Sequence, residues 1–313
     1  MSKFQNPDLP FLSPKALRQL ITGLLDKLRD KYIFPDVAEQ IDDSLRERLD
    51  KGTYNDISDG ASLAFSLTYH LQQVSKDEHL WVRYYPDPLP EHHGSLLQNE
   101  EKVAQIIARA REKNFGIQRA ELLPEGIGLL EIHYFYRPEW GSREPVVEAM
   151  RRLADASALI IDLRKCQGGN PHAVAFLSSY LFKPEPVLLN TLYWRDEDRT
   201  EEYWTMADIP GPRLVKQPVY VLLSKKTFSA GEEFAYNLQA LKRATLIGET
   251  TSGGAHPGSP FRLHPHFEVF IPMGRAVNPV TGTNWEGVGV KPDIEVLADQ
   301  ALETACRLLQ EHL

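Results

Sequence analysis

Two short runs constrain the fold of this chain more than any other feature: "ALIIDL" at residues 158–163 and "VYVLLS" at 219–224. Both are almost unbroken apolar segments rich in β-formers, without the alternation that marks a strand with one wet face. Strands of this kind are covered on both sides, as in a parallel sheet between helices. The surrounding sequence supplies such helices. After a strand pattern in "GIGLLEIHYF" come "REPVVEAMRRLADAS", then "ALIIDL", "NPHAVAFLSSYLF", "VYVLLS", "EEFAYNLQALKRA" and "TLIGE". This alternation predicts an α/β layered core with crossover helices. "FEVFIPMG", the turn-rich "NPVTGTNWEGVG" and a closing helix "DQALETACRLLQEHL" complete it.

The first 76 residues follow another period. Ser13-Pro14 is an N-cap and first-turn pair. The helix it opens carries Leu17, Leu20, Ile21, Leu24, Leu25 and Leu28 on one face. A second helix follows with Val37, Ile41, Leu45 and Leu49, ending at Gly52. A third places Leu63, Phe65, Leu67 and Leu71 toward a partner. Three helices with short connections predict a small bundle, so the expected division is a helical domain at 1–76 and an α/β domain at 77–313. "HLWVRYY" reads as the strand that opens the second domain, "PDPLPEHHG" as a loop, and "NEEKVAQIIARAREKN" as a helix.

Composition excludes some functions. A formal charge of −8 over 313 residues does not suit a polyanion-binding surface, so nucleic acid is not an expected partner. Cys166 and Cys306 make no disulfide framework and fit a reducing compartment. With no apolar leader at the N-terminus and no run of membrane-spanning length, the expectation is a cytoplasmic protein that does not enter a membrane.

The stretch "SKKTFSAGEEF" carries the first chemical question. Ser229 lies between a buried strand and a helix. A serine there is ordinarily an N-cap, with Glu232 as its reciprocal partner three residues on. The other reading is a nucleophile beside helix amides that hold an oxyanion. "DLRKCQGG" ends the preceding strand in a glycine loop, so Gly168 or Gly169 can supply a second amide, although a plain turn also needs glycine. It lacks the lysine and hydroxyl of a phosphate loop. A nucleophilic serine needs a base. Among ten histidines, His92, His93, His264 and His266 read as solvated loop residues without metal spacing, whereas His79 in "KDEHLWV" stands where the bundle meets the first strand. Glu286, between Trp285 and Gly287, is the acid that can orient an imidazole, or a solvated loop acid.

Taken in order, "DEHL", "IIDLRKCQGG", "TFSAGEEF…RATLIGETTSGGA" and "WEGVGVKPDIEV" resemble peptidase family S41, from about Leu17 to the last helix. The resemblance implies a three-helix start followed by a crotonase-like α/β core. It puts Ser229 in the nucleophile's place, and Ala230 with Gly168 or Gly169 in the oxyanion hole. The processing peptidases of this family use a lysine base, and the matching position here is Gly254. The tricorn-like branch uses a histidine and a glutamate instead, and His79 and Glu286 fall at those places. Its serine before the histidine is Glu78 here. The interval from Tyr85 to Ile127 is too short for the PDZ domain of the processing peptidases, so the chain looks most like one module of interphotoreceptor retinoid-binding protein (IRBP) or its bacterial relatives.

The resemblance therefore implies a serine-type peptidase for short or flexible peptides, without metal or organic cofactor, and leaves room for a homo-oligomer. Trp81 and Trp285 are the candidates for substrate contact. Two alternatives stand beside it: a carrier of an apolar ligand, and acyl transfer or hydrolysis on a small biosynthetic intermediate.

Overall fold

The computed structural model describes residues 13–90 and 100–311. His92 and His93 lie outside the described residues. The chain divides into two compact units, residues 1–98 with 257–274, and residues 99–256 with 275–313.

The first unit contains the three expected helices, α1 (Pro14–Lys31), α2 (Pro35–Asp50) and α3 (Gly60–Ser75). The Ser13 hydroxyl accepts the Ala16 amide, and the Asp59 carboxylate accepts that of Ser62, so two of the helix starts are capped as their sequences dictate. All six apolar residues read on α1 are buried. Phe65 is not: it is 76% exposed on α3, because the buried stripe runs through Leu63, Ala64, Leu67, His70 and Leu71. Strand β1 (Trp81–Tyr84) does not open the parallel sheet. It pairs antiparallel with β10 (Phe267–Pro272), which pairs in turn with β9 (Gly258–His264), the strands being numbered in chain order. A sequence boundary after Lys76 therefore separates β1 from the helices with which it is grouped. His264 and His266 flank the β9–β10 turn and are partly buried, and the His266 ring nitrogen Nδ1 lies 2.9 Å from the Tyr85 carbonyl.

The second unit is built on a six-stranded sheet. Its strands are β2 (Ile117–Leu122), β3 (Ile127–Ile132), β4 (Ala158–Asp162), β7 (Val219–Leu223), β8 (Thr245–Gly248) and β12 (Ile294–Glu295), in the order β12-β8-β7-β4-β3-β2. All neighbours are parallel except the edge pair β2–β3. The two-residue period explains why "ALIIDL" has no polar face. Leu159, Ile161 and Leu163 pack in the core that also holds residues of α5 (Arg143–Arg152), α6 (Pro171–Ser178) and α7 (Ala230–Ala240). Ala158 and Ile160 pack on the other side with Ala301, Ala305 and Leu309 of α8 (Ala301–Gln310). Helix α4 (Glu100–Glu112) precedes β2. A second sheet of β5 (Leu188–Trp194), β6 (Arg199–Trp204) and β11 (Gly274–Val277) has the order β11-β5-β6. Among the described residues no helix is long and apolar enough to cross a membrane.

Candidate active site

The turn between β7 and α7 is tied to the end of β4. The Thr227 hydroxyl donates to the Leu163 carbonyl at 2.9 Å, and the Phe228 amide donates to the Cys166 carbonyl at 3.0 Å. Ser229 follows with φ 53° and ψ −120°, a conformation that costs a non-glycine residue about 1–3 kcal/mol. A residue that only capped a helix would sit in the unstrained β region. A strained serine at a sharp strand-to-helix turn is the backbone feature that a nucleophile elbow also has. Its side chain lies against the glycine loop. A Cβ placed on Gly168 would be 2.8 Å from the Ser229 Cβ and 3.3 Å from its Oγ. The loop is held in place by Phe135, whose amide donates to the Gly168 carbonyl and whose carbonyl accepts the Asn170 amide, both at 2.8 Å. Cys166, in the same loop, is fully buried. Burial pushes that thiol up to about 12, which leaves it protonated and unreactive.

Glu232, on the first turn of α7, is fully buried and anchors the Ser229 turn. One oxygen, Oε2, accepts the Ser229 amide at 2.8 Å and the Gly254 amide at 2.9 Å. The other, Oε1, accepts the Thr251 hydroxyl at 2.5 Å and the Gly253 amide at 2.6 Å. Burial raises its pKa, and these donors pull the other way. The neighbouring Glu233 is also buried, and desolvation pushes it up to about 7.

Glu286 is not a solvated loop acid. Its side chain is 13% exposed, and Oε2 accepts the Ala255 amide and lies 3.4 Å from Nδ1 of the buried His256. Sequence reasoning missed His256, although it directly follows the quoted "TTSGGA". Trp285 is a core residue, 2% exposed, with its indole N–H on the Gly254 carbonyl at 2.8 Å. Its place is to hold the 251–255 loop from behind. Ser229, Gly168, Gly169, Ala230, Glu286 and Trp285 thus all belong to the second unit.

His79 belongs to the first unit. It is 8% exposed and donates its amide to Asp77 Oδ1 at 3.0 Å. Asp77 is buried as well and accepts the Tyr32 hydroxyl at 3.1 Å, so the "DEHL" turn is fixed from inside the bundle. Glu78, in place of the expected serine, is exposed. Trp81 stacks on Phe270, with the Arg83 guanidinium over its ring at 4.4 Å. Arg275 lies over the Tyr193 ring in the same manner.

Comparison with known proteins identifies the family. Residues 126–296 match the model of peptidase family S41, and residues 13–113 match a model described as the N-terminal domain of Peptidase_S41 in eukaryotic IRBP. The chloroplastic carboxyl-terminal-processing peptidase 1 of Arabidopsis thaliana is 29% identical over 192 residues, which are 59% of this chain and 38% of that protein. The chain thus spans well under half the length of the curated relatives it matches. In fold it is similar to a lipoprotein from Streptococcus agalactiae (TM-score 0.59, 15% identity, covering 98% of this chain and 100% of that one). It is also similar to the tricorn protease (TM-score 0.59, 13% identity, 95% of this chain and 37% of that one). With more than half of its length matched by the family model, the chain belongs to peptidase family S41.

Proposed function

We propose that this protein is a serine peptidase acting on short or flexible peptides, with Ser229 as the nucleophile. The observation that carries this reading is the strained backbone of Ser229, set at a helix N-terminus with the glycine loop against its side chain. Ser229 Oγ attacks the scissile carbonyl carbon. The carbonyl oxygen becomes an oxyanion and is received by the Ala230 amide and the glycine loop. Either Gly168 or Gly169 supplies the second donor. Collapse of the intermediate breaks the C–N bond, and the amine leaves with the proton taken from the serine. Water then cleaves the acyl-enzyme.

His79 carries the proton in this reading, with Glu286 as the acid that stabilises an imidazolium. Those two roles rest on the match of "DEHL" and "WEGVGV" to the tricorn-like branch. Gly254, where the processing peptidases have lysine, supports that branch over the lysine mechanism.

The test is labelling with a fluorophosphonate, read by intact mass. Wild type should gain one adduct, Ser229→Ala none, and His79→Ala should react at least tenfold more slowly, on the order of a lost general base. His256→Ala is the informative control, since His256 contacts Glu286 within the second unit. If its loss, and not that of His79, abolishes labelling, the base is reassigned. Folded wild type that takes no label sinks the hydrolase reading.

A further inference from the structure

The Glu232 carboxylate does more than an N3 cap requires. A capping box joins residues three apart. This side chain also reaches a loop about twenty residues further on and fills both lone-pair sites of each oxygen with a donor. The Thr251 hydroxyl, which also accepts the Val290 amide at 2.7 Å, joins three amides on the two Glu232 oxygens. Four donors converging on one side chain favour the carboxylate form against the cost of its burial. The loop it grips then continues without a break to the second acid. The amides of Gly253 and Gly254 go to Glu232, and the next amide, that of Ala255, goes to Glu286.

We propose that Glu232 is a positioning residue of the hydrolytic site: its buried carboxylate clamps the strained Ser229 turn to the 251–255 loop, and thereby sets the nucleophile and Glu286 together. The inference rests on the reading of Ser229 as nucleophile. Three consecutive amides divided between the buried Glu232 and the partly buried Glu286 make the loop a single ruler. The clamp offsets the cost of the Ser229 conformation, and without it the turn relaxes and carries the Ala230 amide with it. A displacement of about 1 Å at a reacting group lowers rate by about a hundredfold while leaving distant binding contacts in place.

Glu232→Gln is the test, in the full chain. Glutamine keeps the volume and one oxygen, but its NH2 faces two donors in place of an acceptor. Two readouts are needed. The maximal fluorophosphonate inactivation rate should fall at least tenfold, on the order of a lost oxyanion-site donor, with the reagent's half-saturation concentration within about threefold. Amide hydrogen exchange should rise together in 227–231 and 250–256. Labelling at the wild-type rate, or faster exchange in only one of the two segments, overturns the proposal. If the Gln variant does not fold, Thr251→Val removes one donor and should show both effects in smaller measure. Ser229→Ala is run in parallel. If it labels like wild type, the nucleophile reading fails, and joint exchange in Glu232→Gln then marks a structural clamp with no catalytic role.

Discussion

Gly168→Ala is the substitution whose consequence can be worked most directly from the structure. Gly168 has φ +109°, a region that a side chain enters at a cost of about 1–3 kcal/mol. The new methyl would lie 2.8 Å from the Ser229 Cβ, where carbon pairs normally rest about 3.5–4.0 Å apart. It would also meet the Phe228 carbonyl oxygen at 3.3 Å. The overlap is therefore close to 1 Å and has two outlets. Either the Ser229 turn retreats or the glycine loop does, and both move Ser229 relative to that loop.

Overpacking adds a further cost of about 1–3 kcal/mol. Melting should drop by about 2–4 °C for each kcal/mol in a body of this size. A nucleophile displaced by about 1 Å should label about a hundredfold more slowly. Gly282→Ala is the control. Gly282 also has positive φ, at +69°, but nothing lies within 4 Å of where its Cβ would be. It should lose about 1 kcal/mol from the left-handed conformation and label normally. The reasoning is refuted if folded Gly168→Ala labels as fast as wild type, or if Gly282→Ala is equally impaired.

Three further outcomes test other parts of the account. Ser229→Gly should be more stable than Ser229→Ala by about 1 kcal/mol, because only glycine relieves the strain; urea midpoints decide, and equal midpoints would remove the strain argument. Cys166 should resist alkylation of the native protein at pH 8, because its thiol is pushed up to about 12. Peptide mapping that finds it modified before unfolding would contradict its burial. Glu233 holds its proton in the folded state up to about pH 7, against an ordinary 4.5. A raised acid stabilises the fold fully below its unfolded pKa, and that contribution is lost as pH rises through the folded one. Stability should accordingly fall by about 3 kcal/mol between pH 4.5 and 7 on this account, and Glu233→Gln should abolish that slope. Parallel urea titrations of the two proteins at pH 5 and 8.5 check it, and equal slopes would dispose of the claim.

What the sequence made legible divides along a physical line. Local periodicity identified α1 with every buried position, because a buried helix face is written in the residues that form it. The same logic failed on Phe65, since the period gives a face but not its width. "ALIIDL" announced a doubly covered strand, whereas β2, β6 and β9 stayed hidden. β6 is "RTEEYW", an edge strand with several charged or wet positions, and such segments share the composition of loops. β1 was recognised as a strand and given the wrong neighbours, because its partner β10 lies nearly two hundred residues away.

The site shows the same division. Ser229, the glycine loop and Glu286 were picked out by residue type and order, and the structure sets Ser229 against that loop and Glu286 on the Ala255 amide. Glu232 was visible only as a cap, since its reach to Thr251, Gly253 and Gly254 exists only once β8 has brought that loop back beside α7. His256 was passed over for a similar reason: its partner is thirty residues distant and joins it only in the folded core. Sequence thus names the groups that could react, while the groups that aim them are named by the fold. In this protein the second set includes a buried carboxylate with four donors, and a change of one oxygen to nitrogen at Glu232 tests whether aiming, rather than the serine alone, makes the turn reactive.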